Sequence, residues 1–131
     1  MVDLFLREWV EGFANRWNAD QDMVGPLSKA GFSAVIAFGY TDEENPSILL
    51  EVQDGKVVKA GTFSATSNPK PDWDLRATLA QWEIWKKEGL GLSKLGVTVS
   101  NGQLQFRAGD YRKMIRTPEL AAPFLRCFQL L

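Results

Sequence analysis

Near the start of the chain, large apolar side chains recur every four residues: Phe5, Trp9, Phe13 and Trp17, with Leu6, Val10 and Ala14 beside them. That spacing predicts an amphipathic helix from Asp3, placed as its N-cap, to Asn18; Arg7, Glu8, Glu11, Asn15 and Arg16 take the other side. A shorter helix is expected over Asp20–Ala30, interrupted at Gly25-Pro26 and ended by Gly31. The period then falls to two. Phe32, Ala34, Ile36, Phe38 and Tyr40 share one face of a strand, and Ser33, Val35, Ala37 and Gly39 the other. After the polar turn Thr41–Pro46, a second strand is expected over Ser47–Gln53. Asp54-Gly55 is a two-residue hairpin signal, because both positions must tolerate positive φ, and Lys56–Phe63 returns as the third strand.

Ser64–Pro71 reads as a polar loop. Trp73, Leu75 and Ala77 then alternate with Asp72, Asp74 and Arg76, predicting a fourth strand whose aspartates point outward. Thr78 and Gln81 form a capping-box pattern; the helix it starts has a stripe of Leu79, Trp82 and Trp85 and ends at Gly89. The stretch 90–96 is broken by glycines. Val97–Ser100, Asn101-Gly102 and Gln103–Phe106 read as a further hairpin, with Gln103–Ala108 its firmer arm. Asp110 can cap a short helix through Met114. Thr117-Pro118-Glu119 starts a terminal helix carrying Leu120, Phe124, Phe128 and Leu131, with a kink or restart expected at Pro123.

Composition narrows the chemistry. A chain of 131 residues, 45% hydrophobic and 24% charged, fits a single domain with one core and excludes general disorder. With no His and one Cys, there is no Ser-His-Asp or Cys-His constellation, no two-His metal site and no intrachain disulfide. No cofactor is implied, and the outward Asp72 and Asp74 are a weak acid or metal pair. The net charge of −1 gives no general attraction to nucleic acid. That charge is uneven: residues 1–65 hold 5 basic and 10 acidic side chains, residues 66–131 hold 10 and 6. Arg107, Arg112, Lys113 and Arg116, opposed only by Asp110, are the densest basic group. Two readings stand: a solvated helix face, or an anchor for a carboxylate or phosphate head group or an anionic membrane surface. No apolar run approaches the roughly 18 residues of a membrane span, the N-terminus has no secretory pattern and Gln129-Leu130-Leu131 is no peroxisomal address. A reduced, cytoplasmic setting is expected.

The order of elements, with Asp72-Trp-Asp-Leu-Arg-Ala-Thr78 running into the helix Leu79–Glu88 and the later strand Gly102-Gln-Leu-Gln-Phe-Arg-Ala-Gly-Asp110, resembles the sterol carrier protein type-2, or sterol-binding, domain. The hairpin Ser47–Lys59 and the final apolar segment fit it as well, so the resemblance covers nearly the whole chain. It implies an α+β fold: a curved, mostly antiparallel five-stranded sheet covered on one side by helices, enclosing an apolar tunnel for lipids, fatty acyl groups or sterols. On this reading residues 1–131 form a single lipid-binding domain with no catalytic residues. Strand alternation and helix stripes then nominate Ile36, Phe38, Trp82, Trp85, Leu104, Phe106, Leu120, Phe124 and Phe128 as the tunnel wall, with Leu120, Phe124 and Phe128 on a lid. Arg107, Arg112 and Arg116 become the head-group candidates. The expected partners are a lipid or other apolar small molecule and, transiently, an anionic membrane surface; nucleic acid is not among them, and the state is monomer or homodimer. The alternatives from other classes are an interaction or dimerisation module with a filled cavity, serving a partner enzyme, and a small carboxylate-based thioesterase.

Overall fold

The computed structural model describes residues 5–63 and 70–131, so the Asp3 cap and most of the Ser64–Pro71 loop lie outside the described residues. Helix α1 spans Arg7–Ala19 and α2 spans Gln21–Lys29. The first helix starts later than the spacing predicts, because Phe5 takes φ 64° and cannot be helical. Its ring is still buried, against Trp9, Tyr40 and Trp82. The Asp20 carboxylate caps α2 by accepting from the Asp22 amide at 2.9 Å. Gly25-Pro26 does not interrupt this helix; a proline there removes a single backbone bond, and the turns on either side persist. Gly31, at φ 65°, closes it, with the Phe32 amide donating to the Leu27 carbonyl at 2.9 Å.

Five strands follow the alternating segments: β1 Ala34–Tyr40, β2 Ile48–Gln53, β3 Lys56–Thr62, β4 Trp73–Ala77 and β5 Gln105–Ala108. Their order in the sheet is β3-β2-β1-β4-β5; β1 and β4 run parallel and the other neighbours antiparallel. The β2–β3 turn has the positive φ values its sequence requires, 49° at Asp54 and 85° at Gly55. Register brings Phe38 opposite Ile48 on one side and Leu75 on the other, and Leu75 opposite Phe106, so the apolar alternation of four strands lands on one face. Register shifts at Glu51/Val52 and Asp74/Leu75 add local twist.

Helix α3 spans Leu79–Glu88, with the Thr78 hydroxyl accepting from the Gln81 amide at 3.2 Å. Trp82 and Trp85 are buried, but Leu79 is 54% exposed. Steps of three residues drift by about 60° around a helix, which turns Leu79 away from the core. The expected hairpin at Val97–Phe106 is replaced by a helix, α4, over Leu92–Ser100. Leu95 and Thr98, three residues apart, supply its buried side, and Gly102 at φ 81° follows the helix end, so Asn101-Gly102 terminates a helix instead of turning a hairpin. Helix α5 covers Tyr111–Ile115, capped by Asp110, which accepts from the Lys113 amide at 3.0 Å. Helix α6 runs unbroken over Pro118–Gln129. The carbonyl that Pro123 leaves free is that of Glu119, exposed in the first turn where water can take it.

The helices pack on one face of the sheet. Trp9, Val10, Phe13 and Trp17 of α1, Met23 and Leu27 of α2, Trp82 and Trp85 of α3 and Phe128 of α6 join Ile36, Phe38, Ile48, Leu50 and Leu75 in one core. Among the described residues, no helix is long and apolar enough to cross a membrane.

Candidate functional site

Between the sheet and the helices lies a cavity of about 50 Å³ with a wholly apolar wall. The sheet contributes Ile36, Phe38 and Leu75, with Phe32 and Trp73 at the strand starts. Trp17 comes from α1, Met23 and Leu27 from α2, Met114 from α5, and Leu120, Pro123, Phe124 and Cys127 from α6. Phe32, Trp73, Leu120 and Phe124 are only partly buried and form the outer rim. Trp17 is fixed by its indole N–H, which donates to the Gly55 carbonyl at 2.9 Å. Cys127 is buried, burial pushes its thiol well above the usual range, and its Sγ donates to the Phe124 carbonyl. It is wall, with no nucleophilic character.

Of the nine residues nominated from the sequence, four line this space: Ile36, Phe38, Leu120 and Phe124. The other five stand beside it. Trp82, Trp85 and Phe128 form an aromatic cluster, the Trp82 and Phe128 rings stacked at 6.0 Å and the Trp85 ring edge-on to Phe128 at 5.3 Å. Trp82 is held there by its indole N–H, which donates to the Gly39 carbonyl at 2.9 Å. Leu104 is buried in the same core, and Phe106 packs among Trp73, Tyr111 and Phe124. The wall residues the periodicity did not nominate come from every layer: Trp17 of α1, Met23 and Leu27 of α2, Phe32, Trp73 and Leu75 on the sheet side, Met114 of α5, and Pro123 and Cys127 of α6. Met23 and Leu27 are four apart on α2, and that spacing was the available signal.

Helix α5 has two unlike sides. Met114 is buried and faces the cavity, whereas Arg112, Lys113 and Arg116 are exposed. With Asp110 and Thr117 these three line a shallow polar recess beside the α5–α6 corner. Arg107 does not belong to this group. Its guanidinium donates to the Glu43 and Thr41 carbonyls at 2.8 and 2.6 Å, so it also pins a loop.

That loop also receives Arg76. Asp74 and Arg76 lie on the sheet face away from the helices, as the alternation predicts, yet both are buried there. All five N–H groups of the Arg76 guanidinium are used. Two bind the Asp74 carboxylate, at 2.6 and 3.1 Å. The others reach the Tyr40, Glu43 and Glu44 carbonyls at 3.1, 2.6 and 3.2 Å. Asp72 accepts from the Val35 amide at 2.8 Å. Both aspartates thus have structural employment, and no cluster of three or more metal-type ligands occurs among the described residues.

Helix α6 is tied down at one end. Arg126 pairs with Asp20 at 2.7 Å, and Arg16 donates to the Leu130 carbonyl at 2.6 Å. At the other end, the Thr117 side chain makes no cap bond and instead donates to the Lys113 carbonyl.

No family model matches the sequence, and no curated protein matches it. Solved structures do match. A crystal structure of sterol carrier protein 2 is 16% identical, with a TM-score of 0.74 over 98% of this chain and 96% of that one. A conserved hypothetical protein from Thermus thermophilus, described as a candidate sterol carrier protein, is 15% identical, with a TM-score of 0.67 over 98% and 90%. UbiJ-SCP2, a ubiquinone synthesis protein, is 11% identical, with a TM-score of 0.58 over 90% and 83%. At these identities the likeness is one of fold, and it extends from end to end: the protein has the sterol carrier protein 2 fold.

Proposed function

We propose that residues 1–131 form a single, non-catalytic domain that binds and carries apolar ligands, such as fatty acids, fatty acyl groups or sterol-like molecules. The observation that carries this reading is the wholly apolar cavity between sheet and helices, to whose wall the basic helix α5 contributes Met114. Ile36, Phe38, Leu120 and Phe124 would touch the ligand, and Trp82, Trp85, Leu104, Phe106 and Phe128 would support that wall. Arg112 and Arg116 at the α5–α6 corner would meet a carboxylate or phosphate head group, or an anionic membrane surface during transfer. Sheltering an alkyl chain from water is worth about 0.8 kcal/mol per methylene, so no directional chemistry is needed for useful affinity. The names of the structural neighbours point the same way.

A second reading has its own support. The cavity is small and the aromatic core beside it is closely packed, as an interaction module serving a partner enzyme would be. Native mass spectrometry of freshly purified protein, before and after delipidation and after incubation with palmitate, separates the two. Bound lipid that is lost and regained supports the carrier. A chain that is empty throughout overturns it in favour of the module.

A further inference from the structure

We infer that Met23 and Met114 set the capacity of the cavity: in the ligand-free protein they hold space that a bound apolar molecule takes. The inference rests on the carrier reading and starts from a mismatch of volume. The cavity measures about 50 Å³. Protein cavities that admit even benzene are about 150 Å³. An apolar organic ligand enclosed there therefore requires the wall to move, and the wall is unequal in its freedom.

Most of it is fixed. Ile36, Phe38 and Leu75 are strand residues locked in register, and the Phe38 ring also packs on Phe13 and Trp82. Trp17 is tied by its indole N–H, Trp73 rests on Phe106, and Pro123 has no free torsion to change. Phe124 is wedged between the Phe106 and Phe128 rings. Met23 and Met114 differ in kind. They are 1% and 3% exposed, they approach from two different helices, and each is unbranched with three rotatable bonds. A thioether side chain can change rotamer at little cost and repack on aromatic rings as readily as on aliphatic ones. Among the described residues the sulfur side chains are Met23, Met114 and Cys127, and all three border this one cavity. Such a wall is adjustable in volume and indifferent to ligand shape, as a carrier of varied apolar molecules requires.

The test uses leucine, which keeps the volume but is branched and stiffer, and alanine, which removes it. Met→Leu exchange is well tolerated in cores, so the fold should survive, as circular dichroism will check. With methionine methyls labelled by carbon-13, palmitate should shift the Met23 and Met114 signals of the wild-type chain. The double variant Met23→Leu/Met114→Leu should bind cis-parinaric acid at least tenfold more weakly, and Met23→Ala/Met114→Ala at least as tightly as wild type. Palmitate binding that leaves both methyl signals unmoved, or a double leucine variant that binds like wild type, overturns the inference. Benzene provides an arm independent of the lipid reading. Uptake by the double alanine variant but not the double leucine variant supports the assignment even if wild type binds no lipid, and equal uptake by both overturns it.

Discussion

Arg76 shows how much one side chain can organise. Its guanidinium joins strand β4 to three carbonyls of the 40–44 segment and to Asp74, all on the sheet face without helices. Removing it would strand a buried carboxylate. We predict that Arg76→Leu costs about 3–5 kcal/mol in urea denaturation, and that adding Asp74→Leu recovers part of the loss, because two apolar neighbours are better than one unpaired charge. Alternation along β4 was legible in the sequence; this pairing was not. Period two says only that Asp74 and Arg76 face away from Leu75, and that face normally meets water. Only the fold brings a loop from about 30 residues away to cover them. Tryptophan placement gives a second prediction at this scale. Five tryptophans are present, but only Trp17 and Trp73 border the cavity. Fatty acid should therefore change the emission of Trp82→Phe and Trp85→Phe much as it does that of wild type. Loss of the signal in Trp17→Phe or Trp73→Phe is the expected outcome, and its loss only in the Trp82 or Trp85 variants would move the site into the aromatic cluster.

Among the elements, α6 carries the asymmetry that matters. Its later half is core: Cys127 and Phe128 are buried and Arg126 is paired with Asp20. Its earlier half lines the cavity, lacks a side-chain cap and contains Pro123. Any opening should be confined to 117–122, ahead of the wedged Phe124, with the Asp20 end as the hinge; deleting all of α6 would remove core and unfold the chain. Burial pushes the Asp20 carboxyl up, but the Arg126 hydrogen bond and charge and the amides of Asp22 and Met23 outweigh it, leaving the group below its ordinary range. A lowered folded-state value means the pair stabilises above the unfolded carboxylate value of about 3.9 and is lost as the pH falls through the folded one. Asp20→Asn keeps the helix cap and removes the charge. Its melting temperature should lie below that of wild type from pH 8 to 5, and the gap should close under about pH 4. A gap independent of pH would mean the pair does not hold the hinge. The sequence read α6 correctly in place and face, but proline alone could not tell a kink from a free carbonyl. In α4 the β-branched Val97-Thr98-Val99 favoured a strand on propensity, and Asn-Gly serves hairpins and helix ends alike; burial of Leu95 and Thr98 decided it.

For the whole molecule, the question is what happens at the edges of an open sheet. Edge strand β5 has four residues. Edge strand β3 has seven and includes the exposed Val58, yet it is partly closed by a side chain. Asn18 accepts from the Val57 amide at 2.8 Å and donates to the Val57 carbonyl at 2.9 Å, as a neighbouring strand would. Asn18→Ala should destabilise by about 1–3 kcal/mol, since both groups lose their partner in a partly buried place. It should also raise self-association, read by analytical ultracentrifugation; a variant as stable and as monodisperse as wild type would show that the amide is dispensable.

The one parallel pairing, β1 beside β4, sets a constraint of another kind. The hairpin β2–β3 is local, whereas Val35 meets Asp72 across 37 residues, about as far as the 39 that separate Asn18 of α1 from Val57 of β3; what sets β4 apart is that it is made after all of these. Loop closure over that span must come before any reward from the pairing. During synthesis the first half can therefore form its hairpin and dock α1 while β4 is still inside the ribosome, leaving one side of β1 unpaired. The order of emergence makes that side of β1 the segment most open to mispairing, and the arrival of β4 the step that commits the chain to its native topology.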